Sequence, residues 1–382
     1  MCNGSSQPMK KQLRVLAALL LFTFFCASAH AANKPDSLSV KIGQMLMIGF
    51  RGLSVAEAPQ ISADIRERDI GGVVLFDYDV PSHTPLRNIS SPEQLARLTL
   101  ELQKITKIPL LIAIDQEGGK VNRLKPTRGF PPSLSAAHLG ELNNADSTRA
   151  AALQCARTLK AMHISLNLAP VADLNVNADN PVIGKLGRSF SADPAIVISN
   201  STLTCQAYRE EGIIPTLKHF PGHGSSTTDT HLDFTDITAS WSEKELEPYG
   251  ALIAAGYRDP IMTAHVFNGK LDPLYPATLS KAMLDGMLRG KLGFEGVIVS
   301  DDMQMKAIAD RYGLETAIQL AIEAGVDMLL FGNNTSYDPE IASKATAIIR
   351  SLLQKKIITE ERIDRSYRRI MELKKRYHID QT

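Results

Sequence analysis

The chain has 382 residues, of which 44% are hydrophobic and 22% charged, and its formal net charge is +1. This composition is ordinary for a soluble globular protein, and the length suits one large domain or two smaller ones. The near-neutral charge gives no electrostatic basis for binding nucleic acid.

Residues 1–31 have the features of a secretory signal peptide. Lys10, Lys11 and Arg14 supply positive charge, residues 15–25 form an apolar segment, and Ala29-His30-Ala31 is a small-x-small cleavage site. The apolar segment is too short for a comfortable transmembrane helix. We therefore predict an exported protein, periplasmic or secreted, whose mature domain spans residues 32–382 and contains no transmembrane segment.

The four cysteines bear on this prediction in two ways. Cys26 raises the alternative of a lipoprotein, but Phe24 and Phe25 before it are a poor match to the small residues of such a site, and a soluble exported protein is preferred. Cys155 and Cys205 remain in the mature chain, each in a predicted helix. Export permits a disulfide between them; two buried free thiols are the preferred alternative.

Through the mature chain, apolar runs of about five to eight residues alternate with amphipathic segments. The eight apolar runs are 45–50, 72–76, 110–115, 165–172, 213–219, 260–266, 296–301 and 327–331. The amphipathic segments, predicted to be helices, are 56–68, 92–105, 147–162, 194–211, 242–255, 280–288, 306–324, 339–354 and 359–377.

Runs that are apolar throughout suit strands buried on both faces of a parallel sheet. Eight strand–helix units in about 350 residues predict an α/β fold, a single-domain (β/α)8 barrel of the TIM type with elaborated loops at its C-terminal face. The competing architecture is a doubly wound open sheet, which normally carries a glycine-rich phosphate turn after its first strand. Residues 49–52 lack that form.

Titratable and polar residues follow the predicted strands and are sparse before them. They are Asp115, Glu117, Arg123, Asp173, Asn175, Arg188, Lys218, His219, His265, Asp301, Asp302, Asn333 and Asn334. Because barrel enzymes place their sites at the C-terminal ends of the strands, this asymmetry predicts an active site there. The mixture of donors and acceptors at Asp115, Arg123, Arg188, Lys218 and His219 suits a substrate covered in hydroxyl groups, such as a sugar.

The densest cluster is Lys218-His219-Phe220-Pro221-Gly222-His223-Gly224, followed by Asp229-Thr230-His231. Residues two apart in an extended loop face the same way, so Asp229 can fix the tautomer of His231. That pairing is the logic of a general acid–base dyad. The histidine spacing fits no helix-borne metal pattern, and we expect no metal or other cofactor.

Asp301 ends the seventh apolar run and could act as a nucleophile or a base. Its alternative reading is the N-cap of the following helix. Adjacent strand residues point to opposite sides, so only one of Asp301 and Asp302 should enter the site. We assign Asp301 to the site and expect Asp302 to be structural.

Three motifs resemble glycoside hydrolase family 3, and more narrowly its bacterial β-N-acetylglucosaminidases, from about residue 40 onward. They are Lys-His-Phe-Pro-Gly-His-Gly-x4-Asp-x-His, Ile114-Asp115-Gln116-Glu117-Gly118-Gly119-x-Val-x-Arg123 and Ser300-Asp301-Asp302-x-x-Met305. The resemblance implies a retaining mechanism, in which Asp301 forms a glycosyl-enzyme intermediate and His231, held by Asp229, is the acid/base. It also implies that Asp115, Arg123, Arg188, Lys218 and His219 bind the N-acetylglucosamine unit.

Two features depart from the best-known members of that subgroup. Those members work in the cytoplasm on recycled cell-wall fragments, whereas the export signal here points to intact peptidoglycan or an external chitin fragment. The chain ends at Thr382 without the second domain of many family 3 glucosidases. We therefore expect a monomer whose site is built by the barrel and its loops, with a contribution from a neighbouring subunit as the alternative.

The sequence leaves two other functions open. A histidine acid/base would tolerate an incoming phosphate better than a carboxylate would, as a β-N-acetylglucosaminide phosphorylase requires. A catalytically silent glycan-binding protein would keep the hydroxyl contacts but would need neither Asp301 nor the Asp229–His231 pair.

Overall fold

Each of the eight apolar runs contains a β-strand in the computed structural model, which describes Met1, residues 37–230 and residues 232–379. The predicted signal peptide therefore lies outside the described residues, apart from Met1. The strands in chain order are β1 (Leu46–Gly49), β2 (Gly72–Leu75), β3 (Leu111–Ile114), β4 (Gln116–Gly118), β5 (Val121–Asn122), β6 (Leu166–Asn167), β7 (Ile214–Pro215), β8 (Leu217–Phe220), β9 (Thr235–Asp236), β10 (Ile261–Thr263), β11 (Val266–Phe267), β12 (Ile298–Val299) and β13 (Leu329–Phe331).

The main strands are parallel and buried on both faces. One sheet has the order β13-β1-β2-β3-β6-β7 and a second has the order β12-β10-β8, with every ladder in them parallel. Every residue of β1, β2 and β3 is buried. This confirms the predicted α/β fold and the reading of continuous apolar runs as parallel strands.

The two parallel sheets are joined by single bridges rather than by longer ladders. Val171 bridges Lys218 of β8, and Val299 of β12 bridges Met328 just before β13, both in parallel. Within the described residues the ladders themselves do not run as one closed ring. Closure into an eight-stranded barrel stays a prediction.

Helices follow the strands much as the amphipathic segments predict. The α-helices are α1 (Ser37–Gln44), α2 (Pro59–Arg68), α3 (Pro92–Lys104), α4 (Ala136–Leu142), α5 (Ala145–Ala161), α6 (Pro194–Glu210), α7 (Glu247–Ala254), α8 (Lys306–Ala324), α9 (Ile341–Gln354) and α10 (Glu360–Arg376). Short 3-10 helices cover Pro126–Arg128, Glu243–Leu246 and Ala277–Leu279, and Ala282–Lys291 is a π-helix. No helix among the described residues is both long and apolar enough to cross a bilayer.

The differences from the predicted helices have local causes. The predicted helix 242–255 is divided, because residues Glu243–Leu246 form a 3-10 turn before α7 begins. Helices α1 and α4 were not predicted, since eight and seven residues give too few turns for periodicity to show. Cys155 and Cys205 lie in α5 and α6 as predicted, and both are free thiols.

A buried charge cluster lies at the amino-terminal end of β13. Asp327, which precedes β13, is fully buried and lies 2.6 Å from Arg289, 3.1 Å from Arg369 and 3.5 Å from Arg362. Two of these arginines belong to α10. Helix α10, the last helix, is therefore attached to the beginning of β13 by ion pairs as well as by apolar contact.

Lys374 attaches the same helix to the beginning of the fold. Its Nζ donates to Gln44 Oε1 at 2.7 Å and to the Pro109 carbonyl at 2.7 Å, and the residue is 1% exposed. Both acceptors are neutral. Burial lowers the pKa of Lys374 to about 7 because the charged ammonium loses its hydration.

The Lys374→Met variant should reveal this titration in its stability. The pKa of Lys374 falls from 10.5 to about 7 on folding. Between those values the unfolded state binds more protons, so this lysine makes stability rise with pH. The free-energy difference between wild type and Lys374→Met should change by about 1.4 kcal/mol per pH unit across that window in urea unfolding. A pH-independent difference, like that expected for the exposed neighbour variant Lys375→Met, would contradict this prediction.

Candidate active site

Lys218, in β8, is the centre of a buried charge cluster. Its Nζ lies 2.7 Å from Asp115 Oδ1 and 2.7 Å from Glu117 Oε1. Burial disfavours charge on all three groups, but their mutual attraction is stronger. The pKa values of Asp115 and Glu117 therefore lie below their usual range, and the pKa of Lys218 lies above its own.

Arg188 extends this cluster from the loop after β6. Its Nε and Nη2 donate to the two oxygens of Glu117 at 2.8 and 2.7 Å, which is a bidentate pair. Its Nη2 also lies 3.3 Å from His219 Nε2. Arg188, Lys218, His219 and Asp115 are thus brought together through Glu117, which the sequence placed in a motif but did not assign to the site.

His219 is oriented by a buried carboxylate from the loop after β6. Its Nδ1 lies 2.7 Å from Asp173 Oδ2, and its backbone N–H donates to Asp173 Oδ1 at 3.1 Å. Asp173 is fully buried, which alone would raise its pKa, but the contact with His219 outweighs burial and lowers it. Since Nδ1 donates to Asp173, the other ring nitrogen is the acceptor that faces Arg188.

Arg123 is held less closely than the other predicted binding residues. Its Nη2 lies 3.6 Å from Asp115 Oδ2, and its Nη1 lies 3.7 Å from Asp77 Oδ1. Both separations exceed a hydrogen bond. Asp77 pairs instead with Lys125 at 2.6 Å. The guanidinium of Arg123 is partly exposed and can reorient toward a ligand without breaking a short bond.

Asp301 and Asp302 differ in their hydrogen-bond partners. The Asp302 carboxylate accepts from the backbone N–H groups of Gly332 at 2.9 Å and Gln304 at 3.0 Å, so it fixes two turns. Asp301 is half-buried, and its Oδ1 accepts from the Asp302 N–H at 2.8 Å. Helix α8 begins at Lys306 with Met305 at its N-cap. The alternative reading of Asp301 as that N-cap is therefore wrong.

His265, which lies between β10 and β11, supports the same turn. Its Nδ1 lies 2.8 Å from Thr278 Oγ1, and its Nε2 donates to the Asp302 carbonyl at 2.9 Å. The ring is fully buried. His265 therefore holds the backbone that presents Asp301.

The loop after β8 carries the predicted acid–base dyad. Asp229 is half-buried, and its carbonyl accepts from the N–H groups of Leu232 and Asp233 at 3.0 and 3.1 Å. His231 lies outside the described residues. The Thr230 carbonyl accepts from the Ala307 N–H at 3.4 Å, which places this loop against the first turn of α8, close in sequence to Asp301.

His223 is a structural part of that loop. Its Nδ1 lies 2.9 Å from Ser226 Oγ, and its Nε2 lies 3.2 Å from Thr230 Oγ1. Burial lowers its pKa to about 4, so the ring is neutral near pH 7. Both ring nitrogens are engaged by hydroxyl groups rather than directed at a ligand. In the part of the chain that the structure describes, no three acidic, histidine or cysteine residues are grouped to hold a metal ion.

The chain was compared with known families, curated proteins and solved structures. The Glycosyl hydrolase family 3 N terminal domain matches residues 37–373. A Beta-hexosaminidase from Tolumonas auensis is 38% identical over 293 residues, which are 76% of this chain and 83% of that protein. Beta-hexosaminidase A from Pseudoalteromonas piscicida is 30% identical over 92% of this chain and 63% of its own length.

Solved structures agree with these relatives. A glycoside hydrolase family 3 beta-N-acetylglucosaminidase from Paenibacillus sp. is 36% identical and superposes with a TM-score of 0.82 over 90% of this chain and 63% of that chain. Beta-N-acetylhexosaminidase from Beutenbergia cavernae is 29% identical, with a TM-score of 0.79 over 90% of this chain and 100% of that chain. This chain thus spans less than two thirds of the Paenibacillus protein.

The family match and the relatives identify this parallel α/β fold, with carboxylates, histidines and paired cations at the carboxyl ends of its strands, as that of a glycoside hydrolase. The chain belongs to glycoside hydrolase family 3.

Proposed function

We propose that the protein is a retaining exo-β-N-acetylglucosaminidase that removes terminal N-acetylglucosamine from peptidoglycan or related glycans. The observation that carries this proposal is the cluster of Asp115, Lys218, Glu117, Arg188 and His219. Its charged groups are fixed by short contacts. Fixed, desolvated donors and acceptors bind several hydroxyl groups of one sugar without reorganising. The names of the relatives, a Beta-hexosaminidase and a beta-N-acetylglucosaminidase, support N-acetylhexosamine as that sugar.

The proposed chemistry has two steps at the anomeric carbon. Asp301 attacks that carbon while the His231 imidazolium donates its proton to the leaving glycosidic oxygen, so that a glycosyl-aspartate forms and the aglycone departs. Neutral His231 then takes a proton from water, whose oxygen attacks the same carbon and releases Asp301. Asp229 holds the tautomer of His231. This replaces the usual pair of carboxylates in retaining glycosidases with one carboxylate and one histidine.

The barrel and the location of the protein are part of the same proposal. The single bridges at Val171–Lys218 and Val299–Met328 support closure of the two sheets into a (β/α)8 barrel formed by a single domain, residues 32–382. Removal of residues 1–31 would release the protein, as a monomer, to the periplasm or the medium. Intact cell-wall glycan would then be within its reach.

Release of nitrophenol from two paired substrates tests the function. The wild type should cleave 4-nitrophenyl β-N-acetylglucosaminide, with little release from the matching β-glucoside. When the site has buried groups that recognise the N-acetyl group, a substrate that lacks this group should have a kcat/KM lower by about 10-fold or more. Added phosphate should not yield a sugar 1-phosphate. Equal rates on both sugars would overturn the assigned sugar, and no release from either would favour a glycan-binding protein.

A further inference from the structure

We propose that Glu245 is a positioning residue that anchors the loop carrying Asp229 and thereby sets the acid–base step. This inference rests on the proposed function, because it concerns the step in which the leaving oxygen is protonated. Glu245 lies in the 3-10 turn before α7 and belongs to none of the motifs that the sequence singled out.

The first contact is with the stem of the loop. Glu245 is fully buried, and its Oε2 accepts from the Gly224 N–H at 3.1 Å. This contact lowers the pKa of the Glu245 carboxyl group. Gly224 directly follows His223 and lies a few positions before Asp229.

Two glycines show how closely the turn packs on this carboxylate. A Cβ added at Gly222 would lie 2.8 Å from Glu245 Oε2, and one at Gly224 would lie 1.6 Å from the Leu174 carbonyl oxygen. Gly222 also has a φ of +118°. The glycine positions of the Pro221–Gly224 turn are therefore explained by close approach to Glu245 on one side and to the loop after β6 on the other.

The opposite side of the same stem is held by Asp173. Its Oδ1 accepts from the His219 N–H at 3.1 Å and from the His223 N–H at 2.9 Å. Asp173 thus fixes the sugar-binding residue His219 and the beginning of the loop together. Glu245 fixes the next residues of the loop, so the loop leaves the strand in one direction set by two buried carboxylates.

Beyond the stem, the loop is closed on itself. His223 reaches Ser226 and Thr230 through its two ring nitrogens, and the Asn180 side chain donates to the carbonyls of His223 and Gly224 at 2.8 and 3.2 Å. A displacement at Gly224 would therefore be carried to Thr230, next to Asp229. A misplacement of about 1 Å at a catalytic group can cost about 100-fold in rate.

Burial also affects the titration of Glu245. Burial, and then the negative charge of Asp173, raise the pKa of Glu245 to about 7, against the hydrogen bond from the Gly224 N–H. Tyr249, buried on α7, also interacts with Glu245.

The test uses Glu245→Gln, which keeps the shape of the side chain but replaces one carboxylate oxygen with an amide NH2 group, which cannot accept the Gly224 N–H. The matched control is Glu247→Gln, an exposed glutamate two residues away. For Glu245→Gln, kcat/KM on a disaccharide, whose leaving oxygen needs a proton, should fall by about 100-fold. On a dinitrophenyl glycoside, whose leaving group needs almost none, it should fall by less than about 5-fold. His231→Ala should show the same pattern more strongly.

Equal losses on the two substrates, or losses no larger than those of Glu247→Gln, would overturn the positioning role. Hydrogen exchange gives a readout that does not depend on activity. The amides of residues 222–226 should exchange faster in Glu245→Gln than in Glu247→Gln, and unchanged exchange would overturn the anchor. Wild-type protein without glycosidase activity would overturn the proposed function, while the exchange comparison would still decide whether Glu245 holds the loop.

Discussion

The Asp301→Ala variant is expected to hydrolyse β-N-acetylglucosaminides on the order of 10⁴-fold more slowly than the wild type, because it lacks the carboxylate proposed to form the covalent intermediate. The fold should survive. The Asp301 side chain is half-buried at the end of β12, and the turn beneath it is held by Asp302 and His265 instead. Steady-state release of nitrophenol and thermal unfolding of the same sample measure both claims.

Azide makes the test of Asp301 specific to its role. In Asp301→Ala a small anion can enter the space left by the carboxylate and attack the anomeric carbon, which should restore turnover and yield the α-glycosyl azide. The exposed Asp310→Ala variant on α8 is the matched control and should keep wild-type rates. Activity of Asp301→Ala close to that of this control, without azide, would exclude Asp301 as the nucleophile.

Among the variants proposed here, Lys218→Met should lower the free energy of unfolding most. It leaves Asp115 and Glu117 as neighbouring buried carboxylates without the shared cation. Breaking a buried ion pair on one side lowers the free energy of unfolding by about 3–5 kcal/mol. Because the folded pKa values of both carboxylates are depressed, the wild-type network contributes stability above about pH 4 and loses it as the pH falls through those values.

Denaturant unfolding at pH 7 measures this loss, with Lys120→Met as the control. Lys120 is an exposed lysine in the turn after Glu117, and its removal should change the free energy of unfolding by less than about 0.5 kcal/mol. Sugar binding should also weaken in Lys218→Met, since one donor and the charge balance of the site are lost. A loss of stability similar to that of Lys120→Met would show that the carboxylates do not depend on Lys218.

Much of the architecture could be predicted from local patterns alone. Strands such as β2 and β3 are apolar at every position because both of their faces are covered. A run of consecutive apolar residues therefore suffices to predict them. The polar residues after each strand could be assigned to one end of the sheet, because parallel strands all point the same way. The different roles of Asp301 and Asp302 were predicted from the alternation of adjacent strand residues, whereas both aspartates lie beyond the end of β12.

The contacts that complete the site could not be predicted in this way. Glu117 matters because Arg188, from the loop after β6, and Lys218, from β8, converge on it. Asp173 matters because His219 of β8 lies beside it. Such partners are far apart in the chain, and nothing local distinguishes them from other carboxylates. Glu245 is a sharper case, since its only sequence signal is its place in an amphipathic segment.

The pairing of β1 with β13 has a consequence for how the protein is made. The first strand lies between β2 and the last strand, and Lys374 on the closing helix reaches back to Gln44 beside β1. As the chain emerges from the ribosome, β1 can form backbone hydrogen bonds on both of its edges only after β13, near the end of the chain, has been synthesised. Contacts between residues so distant in sequence form slowly. For the exported protein proposed above, this delay would keep the nascent chain unfolded long enough to be threaded across a membrane before it folds.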